Sequence, residues 1–202
     1  MTSIAALPEP GDPMHDCLVA LAGQLAPHNA IQEPVLSKPA WLDTPLFREL
    51  RADANTSMEA GAESHNGKKN APVSEPLLAR LKRARVDEWA SEHTGLPLDS
   101  EVKATYICYD EPGAALELHL DTRGYSDINL LMCLERMDVR APVQASATVF
   151  VTATGIRRHY YGPGECVIFD GAFLIHGRPP VLEGERVLLL NIGFKLGGEQ
   201  TR

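Results

Sequence analysis

The chain has 202 residues, of which 44% are hydrophobic, and no apolar run approaches the roughly 20 residues that a membrane-spanning helix needs, so no such helix is expected and a soluble protein is the expectation. With 19 basic against 27 acidic residues the formal charge is -8, which argues against a general binder of phosphate backbones. The length suits one domain, residues 1–202, with a sizeable core and is short for two.

The opening "MTSIAALPEPGDPMHD" lacks the basic start and unbroken apolar stretch of a secretory signal, and its prolines and acids suit a surface lead-in. A cytoplasmic location is the expectation. The first half, to about residue 100, is helical or irregular. In "TPLFRELRADANTSMEAG" apolar Leu46, Phe47, Leu50 and Met58 recur at near-helical intervals, with Thr44 expected to cap and Pro45 to take the first helical position. A second helix is expected through "SEPLLARLKRARVDEWASEHTG", capped by Ser74, striped by Leu77, Leu78, Leu81, Val86 and Trp89, and stopped by Gly95. Between them "AESHNGKKNAPV" is polar and reads as a mobile loop, either a lid over a site or a plain surface connection.

After residue 100 the pattern changes to short β-branched and apolar runs separated by Gly, Pro and Asp. Strands are expected at 103–109, 115–121, 128–135, 147–153, 165–170 and 186–196. Six strands without intervening helices argue for a sandwich or barrel, and a double-sheet jelly roll is the version that commonly holds metal ligands inside. The expected fold is mainly β: a double-stranded β-helix at 101–198, supported by N-terminal α-helices. Cys17, Cys108, Cys133 and Cys166 show no CxxC spacing, and three lie in strand-like runs, so they read as reduced core residues. Arg157 and Arg158, with Arg123 and Arg178, are either solvated surface groups or a local patch for an anionic substrate.

The stretch "ALELHLDT" alternates, so His119 and Asp121 share one face of a strand while Leu116, Leu118 and Leu120 take the other. Two such side chains can share one metal ion, and His176, on a later strand, offers a third ligand. Two imidazoles and one carboxylate on one face of an octahedral iron leave three positions open, an arrangement associated with non-haem Fe(II) oxygenases. Arg186 lies ten residues past His176 and opens a strand on which Leu188, Leu190 and Ile192 share its face, an apolar row expected to look inward. His159, beside a turn, reads as a surface or substrate-side residue, and His15, His28, His65 and His93 need no function.

His119-x-Asp121, His176 and Arg186, in this order, resemble the motif of the Fe(II)- and 2-oxoglutarate-dependent dioxygenases. The segments "TYICYDEPG", "HLD" and "GECVIFDGAFLIH" look similar to the Tyr-rich strand, Gly turn and distal-His strand of the prolyl-hydroxylase-like subgroup, over roughly residues 103–196. The resemblance implies that His119, Asp121 and His176 bind Fe(II). It also implies that Arg186 holds the distal carboxylate of 2-oxoglutarate as a bidentate pair. Tyr106, on the strand before the motif, is either a further 2-oxoglutarate ligand or a packed core tyrosine; Asn129 and Tyr109 are additional candidates. With O2, such an enzyme would convert 2-oxoglutarate to succinate and CO2 while hydroxylating a C–H bond of a small molecule, an amino acid or a biosynthetic intermediate. Related halogenases replace the carboxylate by a small residue, so Asp121 disfavours halogenation. The alternatives are a peptidyl prolyl hydroxylase and a non-catalytic, cupin-like metal-binding module, for which Arg186 would have no use; no nucleic-acid or membrane partner is expected.

Overall fold

The computed structural model describes residues 7–65, 67–99, 103–122, 126–141 and 145–197. Asp12 accepts the Met14 amide proton at 2.8 Å and, with Pro13 in the first turn, starts helix α1 (Pro13–Leu25), so the expected lead-in ends in a helix. A short strand β1 (Val35–Ser37) follows. Helix α2 (Thr44–Gly61) is capped by Asp43 rather than Thr44: the Asp43 carboxylate accepts from the Leu46 amide at 2.7 Å and places negative charge at the positive end of the helix.

The polar segment read as a mobile loop is instead a hairpin of β2 (Glu63–His65) and β3 (Lys68–Pro72). The turn glycine Gly67 sits at φ 74°, which explains why an Asn-Gly pair occurs there. The expected long second helix is two, α3 (Glu75–Arg83) and α4 (Val86–Thr94), broken where Arg85 adopts a left-handed φ of 55°. The break re-aims the chain so that Leu77 and Leu81 of one helix, and Val86, Trp89 and Ala90 of the other, all reach one core. Ser74 occupies the cap position without a side-chain hydrogen bond, and Gly95 closes α4 at φ 71°.

The remaining strands are β4 (Lys103–Tyr109), β5 (Leu116–His119), β6 (Ile128–Met137), β7 (Thr148–Thr152), β8 (Gly155–His159), β9 (Cys166–Asp170), β10 (Ile175–Arg178) and β11 (Arg186–Phe194). They form a seven-stranded sheet, ordered β1-β9-β6-β11-β4-β3-β2, and a four-stranded sheet, ordered β5-β10-β7-β8. All strand pairs are antiparallel. This is the expected jelly roll with N-terminal helices.

Three apolar layers follow from the alternation of side chains. Tyr106, Cys108, Leu130, Met132, Leu188, Leu190 and Ile192 face α2, α3 and α4 on the outside of the large sheet. Tyr109, Cys133, Phe150, Val167, Phe169, Val187 and Leu189 fill the space between the sheets. Ala22 of α1, with Leu18, Val19 and Leu25 beside it, covers Val151 and Ile175 on the far side of the small sheet. Cys108, Cys133 and Cys166 are buried free thiols, as expected, and Cys17 is exposed. No described helix is long and apolar enough to cross a membrane.

Candidate active site

Strand β5 pairs with β10 so that His119 lies directly opposite His176, and Asp121 follows just past the end of β5. Asp121 Oδ1 lies 3.3 Å from His119 Nε2 and 3.7 Å from His176 Nε2. Among the described residues these three are the group of His, Cys, Asp and Glu side chains that converges as metal ligands, with donor atoms within 4.8 Å of one another.

Both imidazoles are oriented by the backbone. His119 Nδ1 meets the Glu117 carbonyl and His176 Nδ1 meets the Leu174 carbonyl, each at 2.9 Å. An Nδ1–H donated to each carbonyl leaves the Nε2 lone pairs directed at the common point, as metal-binding histidines require. The carboxylate is held as firmly: Asn129 donates to Asp121 Oδ2 at 2.6 Å, and Ser126 donates its hydroxyl to Asn129 Oδ1 at 2.8 Å. Oδ1 is thereby left for the histidines. Burial pushes the His176 imidazole down to about 4, so it presents a neutral ring. At His119 burial works downward but is outweighed by hydrogen bonds to Asp121 and to the Glu117 carbonyl, which raise it; at Asp121 burial works upward and is outweighed by His119, His176 and Asn129, which hold it low. Two neutral-capable imidazoles and an ionised carboxylate, all pre-oriented, fit a mononuclear dication such as Fe(II).

Gly171 is required where it stands. A Cβ there would lie 2.2 Å from Asp121 Oδ2 and 2.3 Å from Asn129 Nδ2, and the Gly171 carbonyl accepts the Asp121 amide proton at 2.8 Å. Gly171→Ala is expected to lower Fe(II) affinity about 10–100-fold, the usual effect of disturbing a ligand's support. A metal titration checks this; unchanged affinity would remove Asp121 from the ligand set.

The three ligands open onto a cavity of about 510 Å³ between the sheets. Its large-sheet wall is Thr105, Ile107 and Tyr109 of β4, Asn129 and Leu131 of β6, Phe169 of β9, and Leu189 and Asn191 of β11. Leu116 also lines it, contrary to the expected strict alternation. Between Arg178↔Leu116 and His176↔His119 the β5 register slips by one residue, and this bulge turns both Leu116 and His119 inward. The same bulge needs Gly177, whose Cβ would sit 2.7 Å from the Leu116 carbonyl oxygen.

Two expected co-substrate residues lie elsewhere. Arg186 and its row, Leu188, Leu190 and Ile192, face the helices rather than the cavity; the inward row of β11 is Val187, Leu189 and Asn191. The guanidinium pairs with Glu135 and donates to Asn55 Oδ1 at 2.8 Å. Tyr106 is likewise on the helix side, where its hydroxyl donates to Asp53 Oδ2 at 2.8 Å, so it is the packed core tyrosine of the two readings. Asn129 does line the cavity, but both ends of its amide are engaged with Asp121 and Ser126, which makes it a positioning residue for the carboxylate. Tyr109 faces inward.

A buried cation that does reach the cavity is Arg178, two residues beyond His176 and 4% exposed. It donates to Thr148 Oγ1 at 2.9 Å, to the Ser146 carbonyl at 3.2 Å and to Ser146 Oγ at 3.4 Å, and its Cζ lies 5.2 Å from the Tyr109 ring centroid. These are neutral partners, and no carboxylate of a described residue lies within 4.0 Å of it. Of its companions in the sequence patch, Arg157 is exposed near Glu33, Arg158 donates to the Ala145 carbonyl at 2.6 Å, and Arg123 lies outside the described residues. His159 packs edge-on against Phe150 at 5.2 Å, outside the ligand cluster.

No protein-family model matches the chain, and no curated protein matches it in sequence. Solved structures do match in fold. A Pseudomonas putida prolyl-4-hydroxylase superposes with a TM-score of 0.61 at 18% identity, over 90% of this chain and 100% of that one. SnoN, a non-heme α-ketoglutarate-dependent epimerase from nogalamycin biosynthesis, gives 0.64 at 14%, over 87% and 82%. HygX from Streptomyces hygroscopicus, with nickel, 2-oxoglutarate and hygromycin B bound, gives 0.60 at 14%, over 81% and 83%. The chain therefore has the jelly-roll fold of the 2-oxoglutarate–Fe(II) oxygenases.

Proposed function

We propose that this chain is a mononuclear Fe(II)- and 2-oxoglutarate-dependent oxygenase that hydroxylates a C–H bond of a small molecule. The observation that carries the reading is the convergence of His119 Nε2, Asp121 Oδ1 and His176 Nε2 beside a buried arginine that lacks an anionic partner among the described residues. The jelly-roll fold shared with oxygenases supports it.

His119, Asp121 and His176 would hold the iron by one face and leave the other for ligands. Arg178 is the residue we assign to the distal carboxylate of 2-oxoglutarate. His176 and Arg178 are alternate residues of β10, and both line the cavity. Alternate residues are about 7 Å apart along a strand, a span suited to a keto acid whose far carboxylate is two methylenes away. The guanidinium fork, steadied by Thr148 and Ser146, suits a bidentate carboxylate. Ile107, Leu116, Leu131, Phe169 and Leu189 surround the path between them with apolar surface that excludes water and strengthens the pairing. Bound iron would supply the redox chemistry by which one O2 converts 2-oxoglutarate to succinate and CO2 and one substrate C–H to C–OH. The cavity volume lies within the range of small-molecule sites, about 300–1,000 Å³, which favours a small molecule over a folded protein.

Fe(II)-loaded protein supplied with 2-oxoglutarate in air is expected to release succinate, even when slowly uncoupled from substrate. Absence of succinate together with absence of 2-oxoglutarate binding would defeat the oxygenase reading and favour a metal-binding module.

A further inference from the structure

The hairpin of β2 and β3 forms one rim of the cavity. Lys68 pairs across the ladder with Tyr109, and Asn70 with Ile107, both of which face inward. Cross-strand partners share a face, so the Lys68 and Asn70 side chains also look into the cavity, and both line it. Lys69 points the other way and pairs with Asp110 at 2.9 Å and Glu111 at 3.1 Å. Lys68 has no such partner: no carboxylate of a described residue lies within 4.0 Å of its ammonium. It is half-buried, burial depresses its basicity, and only the more distant Asp121 charge works against that. It lines the same cavity as His119, Asp121 and His176.

A half-buried ammonium without a counter-ion is costly unless a ligand neutralises it. On the oxygenase reading, which this inference rests on, the metal dication and the Arg178 guanidinium are balanced by Asp121 and the 2-oxoglutarate dianion. Lys68 is then the cation of the cavity left without a close counter-ion: Glu63, which also lines the cavity, sits on the exposed edge strand β2, beyond 4.0 Å of the ammonium. A second group in the same cavity is also unmatched: the side-chain oxygen of Asn191 is buried with no hydrogen-bond partner, and Asn191 lines the wall. Orphaned buried acceptors are rare enough to call for a ligand donor.

We infer that Lys68 anchors an anionic group of the molecule being oxidised, and that this substrate is a small carboxylic acid carrying an N–H or O–H donor for Asn191, as a free amino acid does. The hairpin is thus more than a plain surface connection: it takes part in selecting the substrate.

The test uses Ni(II)-loaded full-length protein saturated with 2-oxoglutarate, titrated calorimetrically with the free L-amino acids, their methyl esters and their des-amino acids. At least one free amino acid is expected to bind about tenfold or more tighter than both its ester and its des-amino counterpart. Lys68→Met should erase the acid-over-ester preference, Lys68→Arg should keep it, and the 2-oxoglutarate affinity of both variants should stay within about twofold of the parent. Equal binding of acid and ester, or no binding by any member of the panel, overturns the substrate class. A large loss of 2-oxoglutarate affinity in Lys68→Met overturns the assignment in another way, by giving Lys68 to the co-substrate. Failure of the underlying oxygenase reading is separable, because the parent protein would then not bind 2-oxoglutarate at all.

Discussion

Arg178→Leu is expected to raise the dissociation constant for 2-oxoglutarate roughly 30-fold or more, while leaving Fe(II) binding in place. The side chain is buried and its fork is directed at the cavity, so its removal strands a carboxylate of the co-substrate in an apolar pocket. Truncating one member of such a pair costs about 2–5 kcal/mol, and every 1.4 kcal/mol is tenfold. Arg178→Lys should restore part of the loss, because it returns the charge without the fork. Because Arg178 also ties Ser146 and Thr148 together, melting curves must accompany the titration. Arg186→Ala is the paired control. Its guanidinium reaches Glu135 and Asn55 on the helix side, so 2-oxoglutarate affinity should not change, and stability should fall by on the order of 1 kcal/mol. Glu135 keeps Arg51 as a partner at 2.6 Å, which limits the damage. The reverse outcome, with affinity lost in Arg186→Ala and kept in Arg178→Leu, would return the co-substrate role to Arg186.

His176→Ala is expected to abolish succinate formation and to reduce Fe(II) affinity by more than the about 10–100-fold that loss of a supporting residue produces. His176 is the most buried of the three ligands, packed between Phe169 at 4.7 Å and His119 at 4.4 Å. Removing it leaves only two donors and a gap, so a modest loss of stability, about 1–3 kcal/mol, is expected as well. Asp121→Asn separates the two effects: it preserves shape and the hydrogen bond network while weakening the metal site. Turnover retained by a folded His176→Ala protein would show that His176 is not a ligand.

The His119, Asp121 and His176 cluster was legible because its signal is local and chemical. A His-x-Asp pair on an alternating strand fixes its own shared face, and the distal His lies on a strand whose register against β5 sets the two imidazoles opposite one another. Arg178 stood in the sequence only as one of four arginines of a possible anion patch, and that Arg186 turns away from the cavity was not legible, for a reason of symmetry. Strand β11 is buried on both faces, so alternation groups Arg186 with Leu188, Leu190 and Ile192 correctly but cannot say which row looks at the cavity. The polar interruption of the opposite row, Asn191, was the available clue: a helix-facing apolar layer has no use for an amide, whereas a ligand cavity does. Tyr106 and Tyr109 posed the same question on β4, three residues apart and therefore on opposite faces, and Tyr109 is the inward one. The hairpin at 63–72 carried a readable signal in its Asn66-Gly67 pair, masked by the polarity that its cavity-facing Lys68 and Asn70 require. The break between α3 and α4 had none, since an arginine in left-handed backbone is imposed by packing rather than by propensity.

The most direct measurement is an anaerobic titration of Fe(II)-loaded protein with 2-oxoglutarate, followed by visible absorption and calorimetry in the parent, Arg178→Leu and Arg186→Ala proteins. Chelation of iron by the keto-acid end should give a weak visible charge-transfer band that saturates in the parent and in Arg186→Ala, and that requires far more 2-oxoglutarate in Arg178→Leu. A folded, iron-loaded parent protein that gives neither a band nor heat on adding 2-oxoglutarate would contradict the account.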